Sequence, residues 1–324
     1  MRRSIAYHAL RDAAMKLGFS LPVSGAWATP ANQVKVAREA ERLGYHSLWV
    51  LQRLLYPVTP QNDYPPMPGR AWPDAFESVA DPVVSLAFVA GVTTRIRLGT
   101  SVLVMPYYTP VMLAKQLATL DHVSEGRLDV GLGVGWSRDE YDAVGVPFDT
   151  RGRRADEFLA CLKAIWTQEP VEFHGEFYRV PRAFVRPRPL QTPHPPITIG
   201  GYGVAAVRRA ATYANGFNGG NVPLDRVAPL VTELRTAAER AGRDPSRLQV
   251  VCRGTFRPFE EPQGSGRRPL FGSLEEIRAD IQRYADLGLT ELFLEANVML
   301  HGWPVERTLE AMTTLAPSWS LAGR

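Results

Sequence analysis

Short runs of consecutive apolar and β-branched residues alternate along this chain with longer stretches in which apolar positions recur every three or four residues. The first pattern is that of a strand covered on both faces, the second that of a helix with one face buried. The alternation recurs eight times. It predicts strands over residues 17–21, 46–51, 96–104, 128–134, 197–200, 216–219, 248–256 and 291–296, and helices over 30–43, 82–91, 110–123, 204–213, 224–241, 274–287 and 305–315. Thr29 and Pro30 read as N-cap and first helical residue, Gly44 as a stop, and Ser124-Glu125-Gly126 as the end of the helix at 110–123. A long loop rich in Pro, Tyr and Trp follows the second strand as far as Asp81. Between the fourth and fifth strands lies extra material: a helix over 152–166 and a hairpin over 171–180 that turns at His174-Gly175.

Eight β/α units in 324 residues predict an α/β fold, a (β/α)8 TIM barrel with a helix-plus-hairpin insertion after strand four, because an open doubly wound sheet usually uses fewer strands. No boundary divides residues 15–324, which read as one domain. Met15-Lys-Leu-Gly-Phe looks like a fresh start into the first strand, so residues 1–14 read as an appended arm.

Composition then narrows the function. With 45% hydrophobic and 22% charged residues this is the chain of a soluble globular protein. Its net charge of +4 comes from 37 cationic residues of which four are lysines (Lys16, Lys35, Lys115, Lys163), and no basic run is interleaved with aromatics, so a nucleic-acid partner is not expected. Cys161 and Cys252 are far apart, and the six histidines match no metal-binding spacing. No apolar stretch reaches the roughly 18 residues of a membrane span, and the first residues carry no apolar signal region. A cytoplasmic location is expected.

In a barrel the chemistry belongs at the C-terminal ends of the strands. That rim would carry Ser24, Gln52, Arg53, Ser101 to Pro106, Gly133 to Trp136, Gly200 to Gly203, Asn218 to Asn221, Arg253, Glu295 and Asn297. No lysine or histidine stands at a strand end, and Glu295 is the single carboxylate counted there, so Schiff-base, metal-hydrolase and paired-carboxylate chemistries lack their groups. Glycine, amide, hydroxyl, aromatic and Arg remain, a set suited to a flat phosphorylated cofactor that brings its own reactivity. Gly131-Leu-Gly133-Val-Gly135-Trp136 departs from a dinucleotide fingerprint at Trp136, so these glycines serve either to relieve crowding in the barrel or to admit a ligand ring. Gly200-Gly201-Tyr202-Gly203, just before a helix that starts at Val204, reads as an anion site or as an ordinary βα turn. Trp49, Phe158, Leu162 and Ile165 are expected in the core, while Tyr56, Tyr107, Tyr108 and Trp136 either line a pocket or fill the barrel top.

At these residues the chain resembles the bacterial luciferase-like flavin and deazaflavin oxidoreductases, over about residues 16–320. The strongest stretch is RIRLGTSVLVMPYYTPVMLAKQLATLDHVSEGRLDVGLGVGWSRDEYDAVGVPF (95–148), followed in the family's order by RGRRADEFLACLKAIW, EFHGEFYRV and PPITIGGYG. The resemblance implies coenzyme F420, a 5-deazaflavin, or alternatively FMN. It places a non-prolyl cis peptide at Ser101-Val102 behind the ring, the cofactor phosphate on the backbone of Gly200, Gly201, Tyr202, Gly203 and Val204, and Gly133, Gly135 and Tyr141 in the cofactor-binding set. Gln52, Arg53 and Trp136 are the candidate catalytic residues.

One departure limits what carries over. Sugar-phosphate dehydrogenases of the family have Asp-His where this chain has Gln52-Arg53, and their acidic residue after strand four falls near Arg138. Their acid/base pair is therefore not expected here. Arg53 instead offers a cation for an anionic substrate or for negative charge on the ring or acceptor. The expected activity is F420-dependent hydride transfer to a small substrate with an activated C=C, C=N or C=O. The alternatives are an FMN-dependent two-component monooxygenase fed by a reductase, and a flavin-binding protein without turnover. Loops 56–80 and 261–272 are candidate lids, and a homodimer is expected.

Overall fold

The eight apolar runs become the staves of one closed parallel barrel in the computed structural model, which describes residues 15–300 and 302–317. The expected arm at 1–14 lies outside the described residues. In chain order the strands are β1 (Lys16–Ser20), β2 (Ser47–Val50), β3 (Arg97–Thr100), β4 (Leu103–Val104), β5 (Leu128–Gly133), the hairpin β6 (Val171–His174) and β7 (Arg179–Ala183), β8 (Ile197–Gly200), β9 (Gly216–Gly220), β10 (Gln249–Thr255), the short pair β11 (Arg257–Pro258) and β12 (Phe271–Gly272), and β13 (Glu291–Glu295). β3 and β4 are two halves of the third stave, and both pair with β5, which closes the ring.

Helices α1 (Pro30–Arg42), α2 (Pro82–Ala90), α3 (Pro110–Val123), α4 (Arg138–Ala143), α5 (Arg151–Thr167), α6 (Val204–Tyr213), α7 (Leu224–Arg240), α8 (Leu274–Asp286) and α9 (Val305–Leu315) surround it. Their starts follow the sequence signals. Thr29, Asp81 and Thr109 each accept a first-turn N–H ahead of a proline, and Ser273 with Glu276 forms a capping box. The helix expected as part of an insertion is α5. It packs on α3, where Trp166 Nε1 donates to Ala114 O at 3.2 Å, so it covers the barrel as the other helices do. The elements beyond one helix per stave in this stretch are α4 and the hairpin β6–β7.

Alternation along each stave sorts the side chains. Leu17, Phe19, Leu48, Leu98, Val130, Ile199 and Leu292 point outward into the core shared with the helices. The opposite face of the staves presents Gly18, Trp49, Gly99, Val251 and Phe293 to the barrel axis. Trp49 stacks on Phe293 with ring centroids 5.2 Å apart and, with Val251, forms a separate apolar layer. It needs room: a Cβ on Gly99 would lie 2.4 Å from the Trp49 ring.

Below that layer the floor of the barrel holds paired charge. Arg97 donates twice to Asp129, at 2.5 and 2.7 Å. Arg127 donates to the carbonyls of Ser124, Ile96, Ala90 and Thr93 and to the Thr93 hydroxyl. Glu291 accepts from Ser47 Oγ and from Trp49 Nε1, and burial pushes its carboxyl up to about 7.

The long segment after β2 is tied down by rings. Tyr64 lies 5.2 Å from Phe76 and from Trp136, and Trp72 lies 4.6 Å from Trp136. Gln61 and Asn62 fasten it to α4 through Asp139, Asp142 and the Arg138 N–H. The second expected lid is tethered too. Glu276 accepts from the N–H groups of Gln263, Gly264 and Ser273, and those bonds hold its carboxyl down at about 2.

Candidate active site

The third stave breaks at Ser101-Val102, whose peptide bond is cis, at the position that the family resemblance implies. Ser101 N–H donates to Val50 O at 2.7 Å and its hydroxyl to Asn218 Oδ1 at 3.0 Å. The Val102 side chain stands at the bottom of a cleft of about 220 Å³ at the C-terminal ends of the staves. Neighbouring glycines make space for it. A Cβ on Gly133 would lie 2.5 Å, and one on Gly200 2.7 Å, from a Val102 methyl, while one on Gly131 would meet Thr100 O at 1.8 Å. Of the two readings of these glycines, relief of crowding is therefore the one with named contacts. Gly135 has φ +67° and would meet Val104 at 2.8 Å.

Gln52 spends its amide on the wall: Oε1 accepts from Val104 N at 2.8 Å and Nε2 donates to the Tyr108 hydroxyl. It positions β4 after the break. Arg53 lines the cleft with its guanidinium 4.5 Å from the centre of the Trp136 ring and 3.5 Å from Glu140 Oε2. Its Nε donates to the Gln52 carbonyl at 2.7 Å. Glu140 is fully buried and also accepts from Leu54 N at 2.8 Å and Tyr107 Oη at 2.9 Å. Burial, with the Glu140 charge next, drives the Tyr107 phenol well above its ordinary range.

Glu140 corrects the count of a single rim carboxylate. The Ser137-Arg-Asp-Glu140 spacing is that of a capping box, and Ser137 Oγ does accept from Glu140 N at 3.2 Å. The carboxylate, however, turns to Arg53 and Tyr107 instead of back to the cap. An acidic residue after strand four is thus present, two positions beyond Arg138. Arg138 itself is about half exposed and pairs with Asp149 at 3.9 Å.

Across the cleft stands Arg253, flanked by the phenols of Tyr64 and Tyr202. Its Nε is buried without a hydrogen-bond partner, and Nη1 of Arg53, which also lacks one, lies 3.5 Å from Glu140 Oε2 as an ion pair. Among the described residues four buried side-chain polar atoms lack a hydrogen-bond partner, and these two face one cleft. Buried donors normally have acceptors. The pair fits an anionic ligand, and so does the N-terminus of α6, which follows Gly203 with no side-chain cap.

The structure brings Gln52, Arg53, Ser101, Val102, Gly133, Gly135, Trp136, Gly200, Gly201 and Tyr202 to the cleft. Gly203 and Val204 lie just beyond, at the start of α6. Tyr141 is not among the lining residues. It is fully buried, its hydroxyl donates to Val134 O, and its ring meets Tyr107 and Phe148, so it supports α4 from beneath. Ser24, Glu295 and Asn297 are structural: Asn297 Oδ1 accepts from Val23 N and Ser24 N, and Glu295 accepts from Asn297 N at 2.6 Å. Among the described residues there is no cluster suited to a metal ion, and no helix long and apolar enough to cross a membrane.

Comparison with known proteins agrees with this geometry. Residues 15–263 match the luciferase-like monooxygenase family. A protein of Mycobacterium tuberculosis (strain ATCC 25618 / H37Rv) described as uncharacterized is 36% identical over 232 residues, 70% of this chain and 81% of that one. The FMNH2-dependent dimethylsulfone monooxygenase of Pseudomonas putida is 33% identical over 211 residues, 64% of this chain and 53% of that one. An F420-dependent secondary alcohol dehydrogenase, solved in complex with an F420-acetone adduct, superposes with a TM-score of 0.76 over 94% of this chain and 100% of that one, at 16% identity. That last likeness is one of fold.

Proposed function

From the premise that the chain belongs to the luciferase-like monooxygenase family, we propose that it is an oxidoreductase that binds a deazaflavin of the F420 type and reduces a small organic acceptor. The observation that carries this reading is the glycine-floored cleft at the barrel mouth, which lies beside the uncapped N-terminus of α6. The bound deazaflavin would supply the hydride. The chain's own residues would do the rest. Val102 and the backbone at Gly133, Gly135, Gly200 and Gly201 would back a flat ring, and the uncapped start of α6 would take a phosphate. Arg53, held by Glu140 and laid on Trp136, is a preset cation for negative charge on the ring or on an enolate-like acceptor. Tyr64, Trp72 and Trp136 would keep water out.

The identity with the dimethylsulfone monooxygenase favours a second reading, in which reduced FMN arrives from a partner reductase and oxygen is consumed. Titration of the cofactor-free protein with F420 and with FMN separates the two. The first reading expects tighter binding of F420 and oxygen-independent oxidation of its reduced form, while FMN preference with oxygen uptake overturns it. Arg53→Met is expected to lower kcat about 100-fold with F420 affinity unchanged; unchanged turnover removes Arg53 from the site. We also propose a homodimer, since Val84, Phe88 and Met112 expose apolar side chains on the adjacent helices α2 and α3. Light scattering at a monomer mass overturns it.

A further inference from the structure

Building on the reading of the protein as a deazaflavin-type oxidoreductase, we infer that Arg253, Tyr202 and Tyr64 form a seat for a carboxylate group of the organic substrate, so that small carboxylic acids are selected over their neutral analogues. Arg253 reaches the mouth because it occupies an axis-facing position of β10, in register with Phe293 on β13 and Gly220 on β9. Its Nε–H is buried without an acceptor. Glu295 is the carboxylate that acts on it, but that group is committed to the N–H groups of Asn297 and Val298. Gly220 makes room for the guanidinium and for the phenol beside it: a Cβ there would lie 2.9 Å from Arg253 Nη2 and 2.8 Å from the Tyr202 hydroxyl. Burial works against the charge on Arg253, yet Tyr64, Tyr202 and Glu295 together hold it firmly protonated.

A planar guanidinium edge with two parallel N–H donors matches the two oxygens of a carboxylate, and the adjacent phenols add O–H donors. Entry requires Tyr202 to swing aside. Its side chain is 63% exposed and stands at the outer wall, so little packing resists that movement. Tyr64 belongs to the long segment after β2 and touches Trp136. An anion in the seat therefore sits next to an indole whose fluorescence reports its arrival. The other anion within reach of Tyr202 is a cofactor phosphate at the start of α6, and the experiment separates the two.

The 324-residue protein, free of cofactor and then saturated with F420, is titrated with benzoate and with benzamide while tryptophan emission is followed. Benzoate is expected to bind at least about tenfold more tightly than benzamide, as a charge-assisted hydrogen bond predicts. Arg253→Met should erase that preference and leave F420 affinity unchanged, and Arg253→Lys should restore it only in part. Equal binding of benzoate and benzamide overturns the seat, and so does an Arg253→Met variant that loses F420 affinity while keeping benzoate. If Arg253→Met does not fold, Tyr202→Phe, at an exposed side chain, is expected to cut the preference about threefold, and no change there overturns the proposal. A protein that selects benzoate but neither binds F420 nor oxidises its reduced form keeps the seat and loses the hydride reading. One that reduces neutral acceptors as well as acids keeps the reading and loses the seat.

Discussion

The floor and the mouth of this barrel both bury arginine, in opposite circumstances. At the floor, Arg127 places donors on four backbone carbonyls and a hydroxyl, and Arg97 grips Asp129 with two N–H groups. At the mouth, Arg253 keeps a buried Nε–H with nothing to receive it, and Arg53 Nη1 has only the Glu140 carboxylate at 3.5 Å, an ion pair without a hydrogen bond. A buried donor left unpaired costs about 1–3 kcal/mol, so a fold that meets this need at one end and not at the other is organised differently at the two ends. The floor arginines hold loops and strands together. The mouth arginines make sense when a ligand brings the acceptors.

Substitutions can break that contrast. The largest effect is expected from Arg127→Met, which strands the carbonyls of Ser124, Ile96, Ala90 and Thr93: a loss of about 3 kcal/mol or more in urea unfolding. Arg253→Met should cost about half as much or less in the same assay, because its Nε has no partner and what is lost is contact with the Tyr64 and Tyr202 phenols and the Glu295 charge. Equal losses at the two positions would end the distinction. Next comes the layer between the two ends. Gly99→Ala drives a methyl into Trp49 and is expected to cost about 2–3 kcal/mol, with a shifted tryptophan emission as the local signature.

The smallest effect concerns the floor's own titration. Glu291 is raised from its ordinary 4.5 to about 7, chiefly by burial, so the folded protein holds a proton there that the unfolded chain releases earlier. Stability should therefore fall as pH rises from 4.5 to 7, and Glu291→Gln should flatten that slope. A slope that persists in the variant assigns the titration elsewhere.

Much of this was legible in the chain. The staves announced themselves as apolar runs because their outward faces meet helices, and the helix start at Thr29-Pro30 followed from local capping chemistry. The cis bond at Ser101-Val102 was legible only by resemblance. The direction of a carboxylate was not legible at all. Glu140 stands at a capping-box position, yet its partner Leu54 N lies 86 residues away, and nothing local encodes that contact. Tyr141 shows the same limit: a ring next to the mouth in sequence lies beneath it in space. Arg253 could be placed at a strand end, but its missing acceptor becomes visible only when every neighbour has been counted. Loops 56–80 and 261–272 read as lids because the rings and the Glu276 carboxylate that fasten them come from distant elements.

The stacked Trp49 and Phe293 have a kinetic consequence. They cork the axis midway, so nothing passes through the barrel, and whatever reaches the cleft comes and goes at the mouth. Two guests sharing that mouth form a queue. On the proposed function, the guest seated against Val102 would go in first and depart last, which predicts intersecting lines in a double-reciprocal plot and product inhibition patterns of a compulsory order.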